Sequence, residues 1–183
     1  MSKHSPGNER GLGESKRLTL ALLILVLLGC RSGMGDGDYA DAFKANMVAF
    51  RDKAVEVSNR PLPPTQGLTR EEKRKAIADR LREDGKAWQE SAERFRKLQP
   101  PSKFREVNRL SVVLFQEMAD DQVQWADLIL AKSPEAKGYA DVSNARMLAS
   151  MRRLTDELKR IGGPEAAHLE GSLKALEEMA QSQ

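Results

Sequence analysis

The only cysteine of the 183-residue chain, Cys30, ends an apolar run, residues 25–30 (LVLLGC), and Arg31 follows it at once. A thiolate is a strong nucleophile and a common site of covalent modification. A lone cysteine also excludes an intramolecular disulfide framework. The neighbours of Cys30 therefore decide whether its sulfur is modified or serves as a small buried apolar group.

The residues before Cys30 have the parts of an export signal. A basic leader comes first, formed by Lys3, His4, Arg10, Lys16 and Arg17. The uncharged run that follows, residues 18–28, is well short of the roughly 20 apolar residues that a membrane-spanning helix needs. Its length fits the core of a signal peptide, about 7–15 residues.

Residues 27–30, LLGC, resemble the lipobox of bacterial lipoproteins, in which an apolar residue lies three positions before the cysteine and Gly or Ala just before it. The resemblance covers the first thirty residues of the chain. It implies a diacylglycerol group on the thiol of Cys30, cleavage after Gly29, and acylation of the new amino terminus by a fatty acid such as palmitate.

This resemblance predicts three parts of the chain: a signal peptide at 1–29, a lipidated cysteine with a flexible tether at 30–37, and a helical bundle domain at 38–183. The alternative is that Cys30 is a buried hydrophobe or belongs to an uncleaved signal anchor. The basic leader, the short core and the Gly-rich segment after the thiol favour lipidation.

Two acids, Asp84 and Asp121, interrupt apolar helical stripes four residues before Trp88 and Trp125, respectively. In an antiparallel hairpin that turns near Pro100, the two carboxylates would lie within about one helical turn of each other. A buried pair of carboxylates could bind a cation or exchange protons. The alternative is that both acids lie on a solvated rim, because a 3.6-residue period drifts against a seven-residue repeat.

Other chemical motifs are weak. Glu165 and His168 have the E-x-x-H spacing of di-iron bundles, but such sites need two of these motifs and two further glutamates. The sequence also lacks C-x-x-C-H, a Gly-rich phosphate loop and G-x-S-x-G. We therefore expect no metal, no cofactor and no enzymatic activity.

Hydrophobic periodicity predicts helices nearly everywhere after residue 38. We expect helices at about 38–59, 69–98, 102–131 and 133–161, and a last one after Gly162-Gly163-Pro164. Thr69 and Glu72 form a capping box, and Ser133-Pro134 is a helix start. The second helix should bury one stripe, which consists of Ile77, Leu81, Gly85, Trp88, Ala92 and Phe95. The predicted fold is an all-α antiparallel bundle of four to five helices after a cleaved signal peptide.

Net charge disfavours nucleic acid as a partner. The chain has 30 Lys and Arg against 27 Asp and Glu, a net charge of +3. Removing residues 1–29 takes away four basic and two acidic side chains, so the remainder is near +1. A nucleic-acid-binding domain is expected to be net basic or to carry a segregated basic patch.

The helical body resembles that of many small envelope lipoproteins, a similarity too general to imply an activity. We expect a non-enzymatic module, anchored by lipid to the cell envelope and facing the periplasm or the medium rather than the cytoplasm, that binds or scaffolds another envelope protein. The alternative is a bundle that binds a small ligand or cation in an interhelical pocket around Asp84, Trp88, Asp121 and Trp125.

Replacing the thiol tests the lipoprotein interpretation. Cys30→Ser should abolish labelling with palmitate and block processing, because the modified thiol is lost. The product should be 29 residues longer than the mature chain. The control Ser32→Ala should be labelled and processed normally, and normal processing of Cys30→Ser would contradict the interpretation.

Overall fold

The computed structural model of the chain describes residues 33–61 and 67–181, and from Met34 onward these form one compact unit. The predicted signal peptide (residues 1–29), its cleavage site after Gly29 and the predicted lipidation of Cys30 lie outside the described residues. The described part contains five α-helices and no strand, which confirms the predicted all-α bundle. The helices are α1 (Asp36–Asn59), α2 (Arg70–Arg96), α3 (Arg105–Leu130), α4 (Tyr139–Ile161) and α5 (Gly163–Gln181).

The helix ends follow local capping chemistry. The Thr69 backbone N–H donates to the Glu72 carboxylate at 2.7 Å, and the Glu72 N–H donates to the Thr69 hydroxyl at 3.3 Å. This confirms the predicted capping box at the start of α2. Ser133 caps a 3₁₀ turn, Pro134–Gly138, that leads into α4, and α4 ends at Gly162, whose φ of 67° favours glycine.

The contacts of Lys103 show in which direction the helices run. The Lys103 ammonium, just before α3, lies 2.6 Å from the Asp36 carboxylate at the start of α1 and 3.9 Å from that of Glu165 at the start of α5. Three helices therefore begin at one end of the bundle, and α2 and α4 run the opposite way. We call this end, made by residues 34–38, 97–105 and 162–165, the basal end.

An aromatic cluster joins α1 to the hairpin formed by α2 and α3. The Phe115 ring centroid lies 4.9 Å from that of Phe50, 5.7 Å from that of Trp88 and 5.3 Å from that of Phe95. The Phe50 and Trp88 centroids are 4.3 Å apart. Apolar side chains of α4 and α5 complete the same core: Met147, Met151, Leu154, Leu158, Leu169 and Leu173.

The start of the buried stripe on α2 differs from the prediction. Ile77 is 45% exposed, whereas Ala78 is fully buried and packs with Leu81 and Ala126. At about 100° per residue, Ile77 lies about 80° around the helix from Gly85, and Ala78 only about 20°. At the start of α2, the residue that packs against α3 is therefore Ala78 and not Ile77.

At Gly85, α2 packs closely against α3. A Cβ added at this position would lie 3.2 Å from the Ala119 carbonyl oxygen and 3.3 Å from the Gln122 Cβ. Neither atom is the far end of a flexible side chain, so an added methyl group would push the helices apart.

A matched pair of substitutions measures this contact. Gly171 in α5 has nothing within 4 Å of an added Cβ, so Gly171→Ala should raise the free energy of unfolding by about 0.5–1 kcal/mol. Gly85→Ala gains the same helix propensity, but its free energy of unfolding should be about 1–3 kcal/mol lower than that of Gly171→Ala, because the added methyl group crowds α3. Equal effects in urea denaturation would show that the helices are not in close contact.

Candidate functional site

The most buried charge in the described part of the chain is Asp121 on α3, whose exposed fraction is 4%. Its Oδ1 accepts hydrogen bonds from the Tyr139 hydroxyl at 2.9 Å and from the Arg146 guanidinium at 2.6 Å, both on α4. No described group bonds to the other oxygen, Oδ2, although it is buried. These contacts make Asp121 a buried polar link between α3 and α4, beside a second link in which the Ser150 hydroxyl donates to the Glu117 carboxylate at 2.8 Å.

The turn before α4 places Tyr139 over Asp121. Trp125, one turn after Asp121 on α3, donates its indole N–H to the Ala136 carbonyl oxygen at 3.2 Å. The same indole packs beside the Tyr139 ring, with centroids 6.4 Å apart. Since Ala136 and Tyr139 belong to one tight turn and the helix that follows, the tryptophan fixes the position of the phenol.

Arg146 neutralises the buried carboxylate. Its side chain is about 50% exposed, so only one partner of the ion pair is removed from water. The guanidinium also lies 5.9 Å from the centre of the Tyr139 ring, within the range of cation–π attraction. An Asp121 already paired with an arginine has little remaining attraction for a metal cation.

The electrostatics keep Tyr139 protonated. Burial raises the pKa of the Tyr139 hydroxyl, and its hydrogen bond to Asp121 and the negative charge of that carboxylate raise it further. The phenol therefore keeps its proton at neutral pH, and it shares that proton between Asp121, at 2.9 Å, and the Gln124 amide oxygen, at 2.6 Å.

Asp84 has a different partner. Its carboxylate accepts from the Arg80 guanidinium, one turn earlier on the same helix, at 3.2 Å. Burial raises the pKa of Asp84, and the positive charge of Arg80 opposes that shift. Each of the two predicted acids therefore has a cation of its own, Arg80 for Asp84 and Arg146 for Asp121.

The four residues of the predicted pocket have three different surroundings. Trp88 packs in the core against Phe50 and Phe115. Asp84 pairs with Arg80, and only Asp121 and Trp125 are brought together, through Tyr139.

Two surface depressions in the described part of the chain lie elsewhere, and each is lined by one helix and the residue that follows it. The depression on α3 is lined by Asp120, Val123, Gln124, Asp127, Leu128 and Ala131. The depression on α2 is lined by Lys86, Gln89, Glu90, Glu93, Arg94 and Lys97. Neither lies between helices, where the sequence suggested a pocket.

The structure gives no metal-binding geometry to the E-x-x-H pair. His168 is exposed, and Glu165 lies near Lys103. Within the described ranges, no group of three or more His, Cys, Asp or Glu side chains is placed to hold a metal ion.

Sequence reasoning missed Tyr139 and Arg146. Both lie on a helix separated from Asp121 by a turn, so the spacing along α3 carries no sign of them. The glycine and proline of the Pro134–Gly138 turn indicate that the chain reverses, but not which α4 side chain meets which α3 side chain.

Comparisons of the chain with protein-family models, with curated proteins and with solved structures found no match. No helix in the described ranges is both long enough and apolar enough to cross a membrane.

The hydrogen bond from Tyr139 can be tested by stability. Tyr139→Phe should lower the free energy of unfolding at pH 7 by about 1–2 kcal/mol, because the charged Asp121 oxygen and the Gln124 amide oxygen lose the donor that they share. The raised pKa makes this stabilisation fully present below the unfolded pKa of about 10 and lost as pH rises through the folded pKa.

The difference between wild type and Tyr139→Phe should therefore shrink in denaturation curves recorded above about pH 10. Tyr39→Phe is the comparison, since the Tyr39 hydroxyl donates to the neutral Asn108 amide oxygen, at 3.4 Å, and to no charged group in the described part of the chain. An equal loss at pH 7 in the two variants would contradict the importance of the charged partner.

Proposed function

We propose that the protein is a non-enzymatic helical module, anchored in the cell envelope by lipid on Cys30, that binds or scaffolds another envelope protein. The observation that carries this proposal is the combination of the LLGC motif with a folded bundle that begins almost at once after it. Residue 34 already belongs to the folded unit, because the Met34 N–H donates to the Gln99 carbonyl oxygen at 3.1 Å.

The anchor is consistent with the physics of acyl chains. One myristoyl-type chain binds a membrane only marginally, with a partition constant of about 10⁴ M⁻¹, and two or more chains hold a protein stably. The processing implied by the LLGC motif supplies more than one chain at residue 30. A folded unit attached in this way would be held at a membrane surface.

The closed core favours a binding module over a ligand-binding bundle. Ligand pockets are concave, apolar and provided with a few converging polar groups. Where α1, α2 and α3 meet, the interior is filled by Phe50, Trp88 and Phe115. The two acids suggested for a pocket are each paired with an arginine.

The outer faces offer mixed surfaces for a partner. Large apolar side chains are exposed on four helices: Val48, Val55, Ile77, Val123, Leu130 and Val142. Val48 and Val55 are seven residues apart in α1, and so are Val123 and Leu130 in α3. The two members of each pair therefore lie on one face of their helix. Scattered apolar side chains are common on monomers, and they support a partner surface only together with the anchor.

Site-specific photo-crosslinking in intact cells tests the proposal. A photo-reactive amino acid is placed at one exposed position on each of four helices: Val55, Gln89, Val123 and Val142. We expect one discrete protein adduct from one or two of these positions, because a specific partner covers a limited surface.

The other positions of the set serve as matched controls for expression and exposure. The absence of a protein adduct at all four positions, together with saturable binding of a small molecule or metal ion by the purified lipoprotein, would contradict the proposal.

A further inference from the structure

The amino-terminal end of the folded unit is attached firmly to the basal end. The Met34 N–H donates to the Gln99 carbonyl oxygen in the connection between α2 and α3, and the Met34 side chain packs against the core. Gly35 then caps α1, which begins at Asp36, two residues before the predicted start. Residues 34–37, which the sequence assigned to the tether, therefore belong to the folded unit.

The chain between the thiol and this attachment is very short. Cys30 and Met34 are four residue steps apart. An extended chain covers at most about 3.6 Å per residue, so Met34 can lie no more than about 15 Å from Cys30. If acyl chains hold Cys30 in the bilayer, the basal end must lie next to the lipid headgroups.

The connection that receives Met34 is also basic. Residues 97–105 (KLQPPSKFR) contain Lys97, Lys103 and Arg105 and no acidic residue. Lys103 is held by Asp36 and Glu165. Within the ranges that the structure describes, neither Lys97 nor Arg105 takes part in an ion pair, and both are exposed. Both cations can therefore reach anionic headgroups. The basal end also carries three acids, of which Asp36 and Glu165 lie at Lys103 and Asp38 is exposed, so the attraction is local to Lys97 and Arg105 and does not come from a net positive charge of the whole end.

Buried polar contacts make this end rigid. The Asn108 amide donates to the Phe95 carbonyl oxygen at 3.1 Å and accepts from the Tyr39 hydroxyl at 3.4 Å. The Tyr39 and Phe104 rings stack with centroids 5.1 Å apart. These contacts tie the first turns of α1 and α3 to the last turn of α2, at the end where Met34 is attached.

From these observations, and resting on the lipid anchor proposed above, we infer that the bundle stands end-on with its basal end against an anionic lipid surface. Lys97 and Arg105 contact the headgroups, and the helices point away from the membrane. The turn that follows α3, at the opposite end, then lies about 40 Å from the lipid, since α2 has 27 residues. A protein partner would meet the sides or that far end.

Thiol labelling can measure this orientation in the acylated protein. Because acylation consumes the only native thiol, one introduced cysteine gives one labelled position. Three exposed positions sample the height of the bundle: Ser102→Cys at the basal end, Gln89→Cys on the side of α2, and Lys137→Cys at the far end. Each mature lipoprotein carries a fluorophore and is reconstituted in vesicles of phosphatidylethanolamine and phosphatidylglycerol that contain nitroxide-labelled headgroups.

We expect quenching to be strongest at residue 102, weaker at 89 and several-fold weaker at 137. Equal quenching at the three positions would mean that the bundle lies flat, and the reverse order would mean that it is inverted. Either result overturns the orientation while leaving the anchor intact.

Flotation of the same samples separates the two proposals. Protein that floats with the vesicles is anchored, whatever its orientation. Protein that does not float lacks the lipid, which overturns the anchor and the orientation together.

A charge-matched pair of variants tests the role of the two cations. The double substitution Lys97→Gln with Arg105→Gln should reduce the difference in quenching between positions 102 and 137. The control, Lys73→Gln with Lys86→Gln, removes the same charge from exposed sites on α2 and should leave the difference unchanged. Equal effects of the two pairs would overturn the assignment of headgroup contacts to Lys97 and Arg105.

Discussion

The contact of Phe115 with Phe50, Trp88 and Phe95 is the interaction on which the rest of the structure depends. It joins α1, α2 and α3 at one point, and Phe115 is fully buried there. Aromatic pairs at these separations contribute roughly 0.5–1.5 kcal/mol beyond the burial of their area. The hairpin of α2 and α3 has its own close seam at Gly85. The connection of residues 60–69 separates α1 from that hairpin, so α1 relies on these rings for its register. Since α1 begins just after Met34, the rings also fix where the amino-terminal segment leaves the bundle.

This dependence connects the core to the proposed orientation. If α1 slid along the hairpin by one turn, about 5.4 Å, Met34 would leave Gln99 and the short link to Cys30 would no longer end at the basic connection. The pairs Tyr39–Phe104 and Phe43–Phe95, with ring centroids 5.1 Å and 5.0 Å apart, repeat the same register nearer the basal end. A closed and well-registered core thus suits a module that presents its surfaces at a fixed height above a membrane better than one that opens to admit a ligand.

Much of the fold was predictable because its signals are local. Thr69 with Glu72, Ser133 with Pro134, and Gly162 act within a few residues, and all three were confirmed as helix ends. The placement of side chains between helices was less predictable. The prediction that Ile77 is buried was wrong, because residues spaced four apart turn gradually around the helix and away from the contact with α3. The partners of Asp84 and Asp121 were not predicted, because they depend on neighbouring side chains that a stripe pattern does not encode. Arg146, for example, lies 25 residues from Asp121 in sequence. For the candidate site, the sequence placed Asp121 one turn before Trp125 on an apolar stripe and left open whether the carboxylate is buried or lies on a solvated rim. It did not predict the phenol and the guanidinium that bond to its Oδ1.

The central claim is that the folded unit is held at a membrane through Cys30, and the mass of the amino-terminal peptide of the mature protein tests it most directly. Proteolysis of protein purified from membranes, followed by mass spectrometry, should yield a peptide that begins at Cys30 and carries the masses of a diacylglycerol group on sulfur and a fatty acyl group on nitrogen. A peptide that extends upstream through Gly29 with a free thiol at Cys30 would contradict the account and indicate a signal anchor instead.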